Sequence, residues 1–297
     1  MRSSFSERHG FAPGILRGGL CILGSALAFA VMGAMVKGIS GELQSSTIVF
    51  LRNVCALAFM LPWLVRERGD IRTSNLHLHL MRTAFGLSSM YCYYYALAHL
   101  KLGEAMLLSY TSPVFIPLIA GLWLKERITG RPLAAMALGF IGIVLVLKPG
   151  VGILEPVALV GLLAGFLSAA TIVTIRRMAG SERPTLIVFY FSFFSTLISA
   201  GPFLKSPELV SLSQLGYMLG VGAVALVAQM FMTKGYNLAP ASKVGPLIYV
   251  TVVFAALIGL VVWGEKLDGL SLAGAVLVML AGFVTSRPES EQPGESS

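Results

Sequence analysis

Arg52 stands inside the apolar run TIVFLRNVCALAF, where a charge at a membrane-helix centre costs about 2.5 to 3.5 kcal/mol on insertion scales. Ionisable groups so placed face a bundle interior or a permeation path, and a guanidinium there would attract an anion such as a carboxylate. The alternative is snorkelling, because Arg52 is about six residues, or ~9 Å, from one end of its run. A second group lies in the third run, where Ser88, Tyr91, Tyr95 and His99 are spaced three, four and four apart and so share one helix face. Such a stripe could stack on and hydrogen-bond a flat or polar solute. It could equally be an interfacial aromatic belt, with His99 an interface residue.

The fourth run opens with Tyr110, Thr111, Ser112 and Pro113. Proline removes a backbone donor and frees a carbonyl, a break that a membrane helix tolerates where protein or water satisfies it again. Gln229 is an amide in an otherwise apolar stretch, placed either to meet a solute or to tie two helices together. Tyr249 completes the set of candidate binding residues: Arg52, Ser88, Tyr91, Tyr95, Tyr110, Ser112, Gln229 and Tyr249. Packing against neighbouring helices is the competing reading for Tyr110 and Tyr249. The pairs Gly161/Gly165 and Gly216/Gly220 have small-xxx-small spacing, which close helix contact explains.

Catalytic signatures are missing. The sequence has no P-loop, HExxH or GxSxG pattern. Cys21, Cys55 and Cys92 are single and widely spaced, with neither a disulfide framework nor a metal-ligand pattern. No enzyme activity, cofactor or metal is expected.

The elements that must hold these residues follow from composition. Of 297 residues, 56% are apolar and 12% charged, against about 25% charged in soluble chains. A water-facing surface cannot be built from so few charges. Ten stretches approach the roughly 17 to 25 residues that span a bilayer as a helix: 16–36, 46–65, 80–98, 103–124, 132–148, 156–175, 185–204, 212–233, 244–263 and 270–286. The first outlasts a signal-peptide h-region and is read as a retained helix. The loops are short, and the tail from 286 to 297 is rich in Ser, Pro and Glu and expected to be disordered.

Assigning alternate loops to opposite sides sorts the basic residues. Arg2, Arg8, Arg17, Arg66, Arg68, Arg72, Arg82, Lys125, Arg127, Arg131, Arg176, Arg177, Arg183, Lys234, Lys243 and Arg287 fall on one side. Lys37, Lys101, Lys148, Lys205 and Lys266 fall on the other. The positive-inside rule then puts both termini in the cytoplasm of a multi-pass inner-membrane protein. The net charge of +8 is thereby a topology signal rather than a sign of nucleic-acid binding.

Residues 108–126, LSYTSPVFIPLIAGLWLKE, align without gaps to 247–265, LIYVTVVFAALIGLVVWGE, with seven identities in 19 positions. Tyr110 pairs with Tyr249 and Glu126 with Glu265. The offset makes the repeat unit five helices, so its two copies must enter the membrane from opposite sides. Secondary transporters use such inverted repeats to alternate around a central site. The expected architecture is all-α, with ten transmembrane helices in two inverted five-helix repeats. These are 16–148 and 156–285, between a cytoplasmic segment 1–15 and the tail.

On these segments the chain resembles the EamA family of the drug/metabolite transporter superfamily. Residues 103–146 and 242–283 carry the resemblance, with Glu126-Arg127 and Glu265-Lys266 at the family's Glu-basic positions and Gly142 and Gly282 in its Gly-rich final helices. Pro113 matches the family proline, although its aligned partner is Val252 and the second copy has Pro246 instead. Arg52 resembles the family's second-helix arginine. The resemblance implies secondary transport of a small polar metabolite across the bilayer by alternating access. It also implies export, because many relatives are exporters. An amino-acid-like or carboxylate-bearing solute suits Arg52, a metal chelator among them. Alternatives are import of a vitamin or other planar solute, and a non-transporting scaffold or receptor. Protein partners are unknown, and a homo-oligomer is left open.

Overall fold

The computed structural model describes residues 13–66, 71–124, 156–178, 180–239, 245–265 and 268–286, with scattered positions between 134 and 145. Every regular element among the described residues is helical: α1 Pro13–Ile39, α2 Ser45–Arg66, α3 Leu76–His99, α4 Leu102–Ser109, α5 Ser112–Leu124, α6 Pro156–Met178, α7 Pro184–Lys205, α8 Leu212–Leu238, a 3-10 turn Gly245–Tyr249, α9 Val250–Trp263 and α10 Gly269–Ser286. Five of these, α1, α2, α6, α7 and α8, are long and apolar enough to cross a membrane. α9 with its 3-10 turn and α10 contain shorter apolar stretches.

The expected fourth span is two helices. α4 stops at Ser109 and α5 starts at Ser112, with Pro113 in the first turn of α5, where its missing N–H is no loss. The fifth expected span, 132–148, lies mostly outside the described residues, and the segment 1–12, the tail beyond Ser286, and Glu126 with Arg127 lie wholly outside them. The eighth span runs further than expected, to Leu238.

Local signals fix the ends. α8 opens on a capping box, with the Ser211 hydroxyl accepting from the Gln214 amide and the Gln214 side chain accepting from the Ser211 amide; this satisfies two donors that the first turn leaves unpaired. α9 ends on Gly264 at φ 65°, the left-handed conformation that a residue without Cβ adopts freely. Gly264 N–H then bonds to Leu260 and Glu265 N–H to Gly259. That turn returns the chain toward the start of α4.

Large apolar side chains cover the outside, and a set of polar ones is buried within the apolar interior. Leu16, Leu20 and Leu27 of α1, Leu197 and Ile198 of α7, and Val261 of α9 are exposed, while Arg52, Asn53, Arg82, Thr83, Ser109, Thr111, Ser112 and Ser195 are buried. Exposed apolar faces on this scale suit lipid contact, and they make the chain a multi-pass membrane protein. α1 packs on α8 and α9, α3 on α6, and α2 on α7 and α8.

Close backbone approaches occur where side chains are absent. A Cβ on Gly165 of α6 would collide with the Thr111 hydroxyl and lie 2.7 Å from the Leu108 carbonyl oxygen, while Gly161 has Leu108 at 3.2 Å. The Gly161/Gly165 pair thus seats the α4–α5 break. Of the other pair, Gly220 meets Met35 but Gly216 has nothing within 4 Å. The close approach of α8 to α2 falls instead at Gly222, against Cys55.

Candidate functional site

A cavity of about 110 Å³ lies in the middle of the bundle, lined by residues of α1 to α8 and the 3-10 turn. α2 contributes Arg52, and α3 contributes Arg82, Gly86, Ser89, Met90, Tyr93 and Tyr94. Ser109, Tyr110 and Ser112 come from the α4–α5 break, Ser168, Thr171 and Ile172 from α6, and Phe191 from α7. Gln229, Met232 and Tyr236 come from α8, facing Phe29 and Met32 of α1 and Ile248 of the 3-10 turn.

The break is built by Thr111. Its hydroxyl donates to the Leu108 carbonyl at 2.7 Å, and its own carbonyl accepts from the Val114 amide at 2.9 Å as α5 begins. The side chain and backbone of one residue thus satisfy groups that the interruption frees. Tyr110 is turned edge-on to Phe29, ring centroids 6.3 Å apart. Tyr249, its partner in the sequence alignment, stands at the junction of the 3-10 turn and α9. Both aligned tyrosines therefore sit where a helix changes course.

Two arginines are buried here, Arg52 at 2% and Arg82 at 1% exposure. Arg52 Nη1 donates to Asn53 Oδ1 at 2.7 Å, and the Asn53 amide in turn donates to the Val49 carbonyl. Arg82 Nη2 donates to Gln229 Oε1 at 2.9 Å, and its guanidinium lies 3.5 Å from the Phe191 ring centroid. The same ring is 5.8 Å from the Arg52 guanidinium carbon. Arg52 Nε and Arg82 Nε and Nη1 have no hydrogen-bond partner among the described atoms.

The candidates from the sequence are divided by the structure. Arg52, Tyr110, Ser112 and Gln229 line the cavity. Ser88 and Tyr95 are exposed, Tyr95 tilted against His99 with ring centroids 4.4 Å apart, while Tyr91 is half-buried and Tyr249 buried; none of these four lines the cavity. The inward stripe of α3 is instead Arg82, Gly86, Ser89 and Tyr93. It repeats four, three and four apart, the helical period of the stripe read from the sequence but rotated around the helix.

Arg82 changes most. Counted from the sequence as a cytoplasmic loop charge, it is a buried residue almost two turns into α3, because the helix starts at Leu76. The signal was present in Asn75, a residue favoured at helix starts, which would have moved the boundary back.

Among the described residues no group of three or more His, Cys, Asp or Glu is placed to hold a metal. The described acids, Glu42, Glu104, Glu182, Glu208, Glu265 and Asp268, stand at helix ends or in connections, and none lines the cavity. What the arrangement can do is bind: it offers cationic donors, hydroxyls and aromatic faces in a partly closed chamber.

Apolar outer faces around a central chamber that sets a few arginine, hydroxyl and amide groups among apolar and aromatic walls suit a helical membrane protein that binds a small solute. The chain belongs to the EamA-like transporter family, whose model matches residues 16–148 and again 156–287. It is 33% identical over 273 residues to a pseudopaline exporter of Pseudomonas aeruginosa, covering 90% of this chain and 95% of that one. Identity is 28% over 279 residues to a riboflavin transporter of Vibrio cholerae, covering 91% and 93%. An S-adenosylmethionine uptake transporter of Rickettsia bellii is 23% identical over 261 residues, with coverage of 86% and 89%. A solved crystal structure superposes with a TM-score of 0.65 over 91% of this chain and 95% of that one, at 18% identity, a likeness of fold.

Proposed function

We propose that this protein is a secondary transporter that moves a small, polar, carboxylate-bearing metabolite out of the cell by alternating access. The observation that carries this reading is the buried Arg52 guanidinium on a central cavity. A membrane chain retains such a charge where it meets a solute or a path. In this reading the fold is ten transmembrane helices in two inverted repeats, 16–148 and 156–285, with both termini in the cytoplasm. Arg52 receives the carboxylate, Gln229 and Ser112 add hydrogen bonds, and Tyr110 shapes the wall. Export of an amino-acid-derived chelator agrees with the similarity to a pseudopaline exporter.

A planar solute is the second reading, favoured by Phe29, Tyr93, Tyr94, Tyr110, Phe191 and Tyr236 around one small chamber. Metabolite profiling separates the two. A deletion strain that accumulates a carboxylate solute inside, and an overexpressing strain that loses it to the medium, support export. A vitamin requirement in the deletion strain supports import and removes the exporter reading.

A further inference from the structure

The transport reading needs one cationic contact, yet the cavity holds two. We infer that the substrate carries two anionic groups, one seated on Arg52 and the other on Arg82. This rests on the transport reading and narrows its substrate class.

The first argument is charge balance. Arg52 and Arg82 are each at least nine-tenths buried, and the groups that hold them, the Asn53 and Gln229 amides and the Tyr94 phenol beside Arg52, include no carboxylate. No carboxylate is among the described residues lining the cavity. Buried charges are normally paired, and removing one member of a buried pair is strongly unfavourable because the other is left uncompensated. Here both members are cations. Their distances to the Phe191 ring put the two guanidinium carbons within about 9 Å of each other, where like charges in a low-dielectric interior repel. A single anion relieves one charge, whereas two anionic groups on one solute relieve both.

The second argument is donor geometry. Three buried guanidinium nitrogens have no acceptor among the described residues: Arg52 Nε, Arg82 Nε and Arg82 Nη1. They belong to side chains on different helices, α2 and α3, that converge on one ring from α7. Arg82 is held on that ring by stacking and by Gln229. Part of its fork is thus fixed to protein and part is left for a ligand, a pre-organised arrangement that arginine supports better than lysine. Asn53 positions Arg52 in the same manner.

The test uses the purified full-length protein in liposomes loaded with a deproteinised small-molecule extract of the cells that make it. Solutes that leave faster than from protein-free liposomes are identified by mass. The expected solute carries two anionic groups, and methyl-esterifying either one slows its flux by about tenfold or more. Arg82→Gln should bring the intact solute and one of its two single esters, that of the group seated on Arg82, to within about threefold of each other while the other ester keeps its penalty; Arg82→Lys, which keeps the charge, retains most of both preferences. A transported solute with at most one anionic group overturns the inference but leaves transport standing. An Arg82→Gln variant that keeps the wild-type preference also overturns the role of Arg82. If Arg82→Gln does not fold, the esterification ratios of the wild-type protein decide alone. No flux of any solute from wild-type liposomes removes both this inference and the transport reading beneath it.

Discussion

Lys37 Nζ lies 3.1 Å from Glu265 Oε1, joining α1 of the first matched stretch to the turn after α9 of the second. The other carboxylate oxygen, Oε2, accepts the Leu102 amide at 2.8 Å, and Lys37 also donates to the Leu100 carbonyl at 2.6 Å. One ion pair therefore ties together the end of α1, the α3–α4 connection and the end of α9. Gly264 makes this possible by turning the chain at a positive φ, and Gly259 by leaving room, since a Cβ there would come within 2.9 Å of the Glu265 carboxylate.

Loss of this link should lower stability more than an exposed ion pair does. Lys37→Ala leaves a partly buried carboxylate with only a backbone partner, and Glu265→Gln weakens the acceptor at the α4 N-terminus, where a negative charge is favoured. Each change should cost about 1 to 2 kcal/mol, or about 2 to 6 °C in the melting temperature of the detergent-purified protein. The double variant should melt well above the level that adding the single losses gives, because the two residues share one interaction. Strict additivity would show that they do not.

The glycine contacts predict an asymmetry between two positions that look alike in sequence. Gly165→Ala drives a methyl group into Thr111 and the Leu108 carbonyl at the α4–α5 break, where backbone cannot give way cheaply. The folded yield should fall severely, and any recovered protein should melt at least about 5 °C lower. Gly216→Ala meets open space and gains helix propensity, so it should melt at or slightly above wild type. Equal behaviour of the two variants in a fluorescence melting series would contradict the packing described.

What was legible in the sequence was whatever a one-dimensional signal can carry. The helices at the long apolar runs that the structure describes follow from length and hydropathy, and the break near Tyr110 from Pro113 and the polar cluster before it. Arg52 was visible because it stands alone among apolar residues. Arg82 was not, because a charge near the edge of a run reads as a loop charge until the helix start is fixed, and moving that start to Leu76 changes its meaning. The tyrosine stripe of α3 had the right period but no phase. A helix exposed to lipid on one side and packed on the other has no apolar–polar contrast to say which face turns inward. Tyr93 and Tyr95 could therefore not be told apart from sequence. The bundle separates them by packing α3 against α6, with the Ser89 hydroxyl donating to the Ala164 carbonyl at 2.8 Å.

That phase can be read functionally. Tyr94 lines the cavity with its hydroxyl 3.8 Å from the Met32 sulfur, while Tyr95 is 42% exposed on the outer side. Tyr94→Leu should lower solute flux in proteoliposomes by about tenfold through lost stacking and hydrogen bonding. Tyr95→Leu should leave flux within about twofold of wild type, since it exchanges one outward apolar face for another. The reverse order would return the site to the outer stripe.

At the opposite end from Lys37, Glu182 gathers the α2–α3 connection. Its carboxylate accepts from the Thr73 hydroxyl and from the Asn75 side-chain amide at 3.0 Å, and lies 3.8 Å from His79 Nε2. The Thr73 hydroxyl also accepts from the Asn75 backbone amide at 2.9 Å. The start of α3, which fixes where Arg82 falls, is thus held by an acid from the α6–α7 turn. Glu182→Ala removes the acceptor that Thr73 and Asn75 share, leaving two half-buried donors without it. Hydrogen exchange over residues 73–79 should speed up by about tenfold or more, while exchange in the middle of α6 stays unchanged. Flux should fall as well, although Glu182 does not line the cavity, because a frayed α3 start releases Arg82 from its seat on Phe191. Glu182→Gln keeps an acceptor in place and should restore most of both signals. If exchange rises as expected but flux is untouched, the anchoring of Arg82 does not depend on this end of α3.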